Sequence, residues 1–184
     1  AKLNTSWVCP ASDYEDAVGR YVDGVLRAGP SPFADELQKL TARIAPFGFH
    51  NSLAQVALKF TAPGVPDVYQ GCEQWNFSLV DPDNRRPVDY AALAASLDGL
   101  MALYRDGTPS ESDWSALWRE AADGRIKQLV TWRLLGLRRE RRMLFRNGGY
   151  TPLSIEGAAE EHALAFLRMH EGEAVLVVAA RLTW

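Results

Sequence analysis

Ala62-Pro63-Gly64-Val65-Pro66-Asp67-Val68-Tyr69-Gln70-Gly71-Cys72-Glu73 is the stretch on which the reading of the fold turns. Its prolines and Gly64 make 61–66 a tight connection. Asp67-Val68-Tyr69 is a short strand candidate, ended by Gln70-Gly71. Residues 72–89 follow as a long polar loop that holds Trp75, Phe77 and Leu79, and loops of this length inside compact domains are uncommon unless functional.

Upstream of that stretch the chain reads helical. Ser12 or Asp13 caps a helix with Tyr14, Ala17, Val18, Tyr21, Val22, Val25 and Leu26 at helical spacing, and Gly29-Pro30 stops it. Ser31 caps the next, with Pro32 at its first position and Phe33, Leu37, Leu40 and Ile44 on one face. Pro46-Phe47-Gly48 is expected to break the chain, after which Asn51 or Ser52 opens a third helix through Leu53, Val56, Ala57 and Phe60. Downstream, helices are expected over 90–104, 112–122 and 125–142. After Gly148-Gly149 come three strands, 150–155, 163–169 and 174–180. The last two are joined by His170-Glu171-Gly172-Glu173, a hairpin signal. One strand among five or six helices cannot make a parallel sheet. Either the helices bundle and the strand is irregular, or the rest of its sheet lies outside this chain.

Composition narrows the function classes. The chain has 184 residues, 20 Lys and Arg against 23 Asp and Glu, and a net charge of −3. Hydrophobic residues at 47% exclude a mostly disordered chain. A slightly acidic balance argues against nucleic-acid partners, which need a basic surface. No apolar run approaches the ~20 residues of a membrane helix, so no membrane partner is expected. The N-terminus lacks a signal-peptide pattern. Cys9 and Cys72 read as free thiols in a cytoplasmic protein, which leaves the sequons at Asn4 and Asn76 without meaning. The chain opens on Ala1 rather than Met, consistent with a processed or cut piece.

Gly64, Pro66, Tyr69, Gly71 and Glu73 spell G-x-P-x-x-Y-x-G-x-E, which resembles the eighth strand and following loop of the α-amylase-superfamily barrel. The continuation is more specific: Trp75-Asn76-Phe77-Ser78-Leu79-Val80-Asp81-Pro82-Asp83-Asn84-Arg85-Arg86-Pro87-Val88-Asp89-Tyr90. It resembles the maltooligosyl trehalose synthase family of that superfamily. The likeness extends to Thr5-Ser6-Trp7 and Asn51-Ser52-Leu53-Ala54-Gln55 upstream. Downstream it takes in Leu144-Phe145, Gly149-Tyr150, Pro152-Leu153 and Ala165-Phe166-Leu167-Arg168. The chain departs from the family pattern where Thr, Leu and Asp are expected and Cys72, Gln74 and Asn76 stand.

The resemblance implies an α+β piece, mostly helical. Residues 1–108 would be the end of a (β/α)8 barrel around strand eight, 109–143 connecting helices, and 144–184 part of a small C-terminal β domain. The implied reaction turns the reducing-end α-1,4 bond of a maltooligosaccharide into an α,α-1,1 bond by intramolecular transglycosylation, a step in trehalose biosynthesis of the isomerase class. That chemistry needs a carboxylate nucleophile and an acid about 5 Å apart, in a pocket that holds water out. No metal or organic cofactor is implied. In such barrels the three carboxylates stand at the ends of strands four, five and seven. The matching region starts later, so this chain is expected to carry none of them and to be inactive alone. Two alternatives remain: another glucanotransferase of the superfamily, or a non-catalytic helical interaction or carbohydrate-binding module.

The candidate substrate-binding residues are Tyr69, Glu73, Trp75, Asp83, Asn84 and Arg86. Tyr69 and Trp75 either stack on glucose rings or belong to the core. Glu73 either lines the site or is structural; Asp67 is read as structural. Asp81-Pro82-Asp83-Asn84-Arg85-Arg86 echoes a calcium loop but puts arginines at a ligand position and at the glycine. It is better read as an ion-pair network fixing the loop, with direct hydroxyl contacts by Asp83, Asn84 or Arg86 as the other reading. Arg138-Arg139 and Arg141-Arg142 read as a solvated helix end. Trp114, Leu117 and Trp118 read as packing. His50, His162 and His170 have no metal spacing. A piece of a barrel exposes faces that would otherwise be buried, so self-association is expected.

Overall fold

The computed structural model describes residues 3–27, 31–79, 83–105 and 107–183, with the side chains of residues 27 and 83 outside that description. The expected helix stop at Gly29-Pro30, and Asp81 and Pro82 of the acidic string, lie outside the described residues. The described residues form six α-helices and one three-stranded antiparallel sheet. The chain divides into two compact units, Ala1–Pro46 and Phe47–Trp184. No helix among the described residues is long and apolar enough to cross a membrane.

In the first unit, α1 spans Ser12–Arg27. Ala11 offers its carbonyl to the amides of Tyr14 and Glu15, and Thr5 ties in through its hydroxyl, which accepts from the Ala11 amide and donates to Glu15. The apolar stripe expected from the sequence is present but uncovered: Tyr14, Val18, Tyr21, Val22 and Leu26 are all exposed.

Helix α2 spans Pro32–Thr61, and Ser31 caps it by accepting from the Ala34 amide, as its spacing predicts. The expected break at Pro46-Phe47-Gly48 is absent, because Pro46 lies inside a continuous helix. A proline deletes one N–H bond and crowds one carbonyl. Here the turns on both sides outweigh that local penalty. The boundary between the compact units nevertheless falls at this same proline.

An apolar centre of the second unit lies where α3 (Tyr90–Tyr104), α4 (Glu111–Arg119) and α5 (Arg125–Glu140) meet. Leu100, Leu117, Ala121, Ile126 and Leu129 are buried together, with Phe49, Leu53, Trp75, Trp114, Trp118 and Trp132 packed around them. Trp114 and Trp118 are therefore packing residues, as their spacing predicts. Ser110 opens α4 with a reciprocal capping box to Asp113. Gly124, at φ +80°, turns the chain from α4 into α5. The helix expected over 125–142 ends at Glu140, and a short α6 (Arg142–Asn147) follows.

The sheet is β1 (Gly149–Leu153), β2 (Ala163–His170) and β3 (Glu173–Ala180), in that order. Register runs Gly149↔Met169 on one side of β2 and His170↔Glu173 on the other. Glu171 and Gly172 take φ +45° and +86°, which makes the expected two-residue hairpin turn. Pro152 is tolerated because β1 is an edge strand. The inner face buries Phe166, Arg168, Val177 and Ala179. Leu176 and Val178 on the outer face remain exposed.

The strand expected at Asp67-Val68-Tyr69 does not form: residues 65–69 pair with nothing as a strand among the described residues. A strand is defined by its neighbour's hydrogen bonds, and the sheet here is built from residues 149–180 alone.

Two arginines set where that segment begins. Arg168 is 1% exposed and donates to the carbonyls of Thr61, Leu144, Phe145, Gly148 and Gly149. Arg138 donates to the carbonyls of Phe60 and Gly64 at 2.8 and 3.0 Å. Together they satisfy the last turn of α2, whose carbonyls have no helical partner, and tie it to α5, α6 and the sheet.

Candidate functional site

The segment from Ala62 to Asp89 leaves α2 at these two arginines and returns at α3. Its first turn closes from the Cys72 amide to the Tyr69 carbonyl at 3.1 Å, with Gly71 at φ +78°. Gln74 then anchors it. Its side-chain amide donates to Ser96 Oγ on α3 and to Gln128 Oε1 on α5, both at 3.0 Å. Ser96 also donates to Gln128, and Gln128 donates to the Leu93 carbonyl. This network explains how a glutamine is accommodated where the family resemblance expects leucine: Ser96 and Gln128 supply the partners that a buried amide requires.

Trp75 is likewise built into the fold. Its ring stacks on Phe49 with centroids 4.7 Å apart and planes 16° apart, and its indole N–H donates to the Ala121 carbonyl at 2.5 Å. Lys127 places its ammonium 5.6 Å from the ring centroid and donates to the Gln74 carbonyl. Burial pulls the Lys127 pKa down from its ordinary 10.5, Cys72 and Glu73 oppose that, and Lys59 adds to it. A buried cation is thus held under the loop by a carbonyl and an aromatic face.

A cavity of about 280 Å³ opens between the loop and the start of α3. Trp75, Asn84 and Arg86 line it together with Gln70, Asn76 and Asp89. Three of the expected site residues are therefore brought together. Tyr69 is exposed, and neither it nor Glu73 belongs to the lining. The Asp83 side chain lies outside the described residues. Asn84 sits in a short 3₁₀ turn, Asp83–Arg85, and its carbonyl oxygen is enclosed without a donor. Glu73 keeps one carboxylate oxygen in the same condition. Asp89 spends its carboxylate on the α3 N-cap, accepting from Ala92 at 2.9 Å. Asn76 accepts from the Ser78 amide at 2.9 Å, a local turn bond.

Sequence reading missed Gln70, Gln74 and Asn76. The signal was present in the density of side-chain amides across 70–84, but long-range contacts with α3 and α5 decide which amides anchor the loop and which face the cavity. An amide both donates and accepts, as a hydroxyl does. A rim of amides and a guanidinium is thus suited to a neutral polyhydroxylated ligand. Among the described residues no cluster of His, Cys, Asp and Glu could hold a metal ion.

No family model matches the chain. A curated Mycobacterium tuberculosis protein, provisionally described as a maltooligosyl trehalose synthase, is 37% identical over 183 residues, which is all of this chain and 20% of the relative. A solved maltooligosyl trehalose synthase superposes with a TM-score of 0.74 at 30% identity, over 98% of this chain and 27% of that one. The synthase from Arthrobacter ramosus gives 0.73 at 38% identity, over 98% and 21%. This chain is homologous along its whole length to part of a maltooligosyl trehalose synthase. It spans about one fifth of the curated relatives' length. Gln74, Gln128 and the cavity over α3 thus belong to a stretch that those synthases also possess.

Proposed function

We propose that this chain is one part of an enzyme that converts the reducing-end α-1,4 bond of maltooligosaccharides into an α,α-1,1 bond, forming maltooligosyl trehalose. The observation that carries the reading is whole-length homology to the synthases at 37% identity, combined with a superposition at a TM-score of 0.74. A glucanotransferase reading accounts for the G-x-P-x-x-Y-x-G-x-E motif but not for similarity running from the first helix to the last strand.

In this reading residues 1–108 end the catalytic barrel, 109–143 connect, and 144–184 begin a small β domain, within a cytoplasmic enzyme of trehalose biosynthesis. The catalytic carboxylates stand on strands outside this chain. The chain contributes a wall. Asn84 and Arg86 meet sugar hydroxyls from the loop between α2 and α3, while Trp75 gives that loop a rigid floor. Glu73 and Tyr69 flank it, and Asp83 belongs to the same rim. Asn84 and Arg86 both line the cavity, where a side-chain amide and a guanidinium can donate to sugar hydroxyls, which supports this role.

The test uses the chain alone. Incubated with maltopentaose, it is expected to leave the number of reducing ends unchanged. A falling count would show bond rearrangement without the other strands and would overturn the division of labour.

A further inference from the structure

A second cavity lies away from the loop, between the C-terminal halves of α3 and α5. A cavity of about 550 Å³ is lined by Met101 and Arg105 from α3 and its end, and by Trp132, Arg133, Gly136, Leu137, Arg139 and Glu140 from α5. Three guanidiniums thus face one carboxylate in a chain whose net charge is −3. Asp106, next to Arg105 in sequence, lies outside the described residues.

The cations differ in what holds them. Arg133 is fixed: it donates to the Tyr104 carbonyl at 3.2 Å and the Gly107 carbonyl at 2.6 Å, with its guanidinium 5.6 Å from the Trp132 ring. Those two bonds leave further N–H groups unspent on its five-donor fork. Arg105 and Arg139 make no side-chain hydrogen bond or ion pair among the described residues. Cations near a helix C-terminus ordinarily serve the dipole, and that would account for Arg139 at the end of α5 and for Arg105 at the end of α3. Arg133, two turns before the end of α5, reaches across to the carbonyls at and just past the end of α3 and keeps donors in reserve.

Gly136 is the second, independent observation. It stands in the interior of α5, where glycine weakens a helix relative to alanine. A Cβ built there meets nothing within 4 Å, so packing does not require glycine. Its absent side chain keeps the floor of the cavity open.

The geometry points to this cavity as a binding site for an organic phosphate, with the phosphate on Arg105, Arg133 and Arg139 and the organic body on Met101, Trp132 and Leu137. Guanidiniums match phosphate oxygens in bidentate geometry. The volume falls in the range of about 300–1,000 Å³ usual for small-molecule sites and is far larger than inorganic phosphate needs. The proposal does not depend on the proposed function of the loop.

Calorimetric titration of the chain tests it, with phenyl phosphate, inorganic phosphate and phenol as probes. Phenyl phosphate is expected to bind saturably, more weakly as salt is raised. Inorganic phosphate should bind at least about tenfold more weakly and phenol not at all, because each lacks one half of the match. The double variant Arg105→Gln/Arg139→Gln removes two unpartnered cations, and Gly136→Leu fills the floor while improving helix propensity. Each is expected to weaken phenyl phosphate about tenfold or more. Absence of saturable binding, equal affinity for phenyl phosphate and inorganic phosphate, or affinity unchanged in both variants would overturn the proposal.

Discussion

Arg168 carries five main-chain carbonyls on one guanidinium, with no carboxylate among its partners. Burial, and then the charge of Arg138, pull its pKa down, yet arginine stays protonated throughout the accessible range. The charge is therefore stabilised by main-chain dipoles, with the Phe145 ring 5.8 Å away, and its planar fork is what reaches so many of them. Arg168→Lys keeps the charge and loses the fork, so a loss of about 2 kcal/mol is expected in urea unfolding. Arg168→Met, which orphans every carbonyl, should cost more. A Lys variant as stable as the parent would contradict this. Trp75 teaches a complementary point. Its aromatic type and its place after Glu73 are legible in the sequence as a candidate sugar platform. The stacking on Phe49 and the bond to Ala121, from partners 26 and 46 residues away, are not. Asn84 is legible in the sequence as a candidate within the acidic string, and the structure adds that it lines the cavity, with its carbonyl oxygen enclosed and without a donor. In a complete enzyme carrying this stretch, Asn84→Ala is expected to raise KM for maltopentaose about tenfold, one charge-free hydroxyl contact and its orphaned partner being worth ~1.4 kcal/mol. An unchanged KM would remove Asn84 from the site.

Helices with strong end signals are legible in the amino-acid sequence. Tyr90–Tyr104 can be read to the residue because Asp89 and the apolar run after it agree, and the hairpin because Glu171-Gly172 is a turn pair flanked by apolar runs. Two expectations fail, each for a physical reason. Pro46 speaks only for its own hydrogen bond, while a 30-residue helix answers to all its turns. Residues 67–69 have the composition of a strand, but ladder bonds come from a neighbour that composition cannot supply. The join between α4 and α5 offers a sharp test. A Cβ on Gly124 would stand 2.8 Å from Gln74 Cβ and 3.1 Å from the Trp75 amide, at φ +80°. Gly124→Ala should therefore cost more than the ~1 kcal/mol of left-handed backbone strain alone, and hydrogen exchange should quicken at residues 71–75 as the loop is pushed off α5. Unchanged exchange there would break the link between this turn and the site. The capping box of α4 predicts a pH effect. Bonds from the Ser110 hydroxyl and then its amide hold the Asp113 carboxyl below its ordinary 3.8. A lowered folded value means that the contribution is complete above the ordinary value and is lost as pH falls through the lowered one. Ser110→Ala should cost about 1 kcal/mol at neutral pH, and its deficit should shrink on acidification. A deficit independent of pH would argue against the box.

Taken as a whole, the chain leaves too much apolar surface open to be a finished unit. Tyr21 is 72% exposed on α1, and Leu176 and Val178 are each 61% exposed on the outer face of the sheet. Periodicity marks these faces as apolar, and the chain spans one fifth of the curated relatives' length. In isolation the chain is expected to associate with itself in a concentration-dependent way, and Leu176→Lys/Val178→Lys should reduce that association. A monodisperse monomer in light scattering would contradict it. The same incompleteness applies to function. In the proposed function the cavity rimmed by amides and a guanidinium binds and orients a sugar, and the carboxylates of bond exchange are expected outside this chain. The most direct measurement places this chain where its counterpart belongs. Substituted for the matching stretch of the Arthrobacter ramosus synthase, it should give a folded chimaera that consumes the reducing ends of maltopentaose and accumulates a non-reducing product of the same length. A folded chimaera that leaves the reducing ends unchanged, or raises their number by hydrolysis alone, would contradict the account.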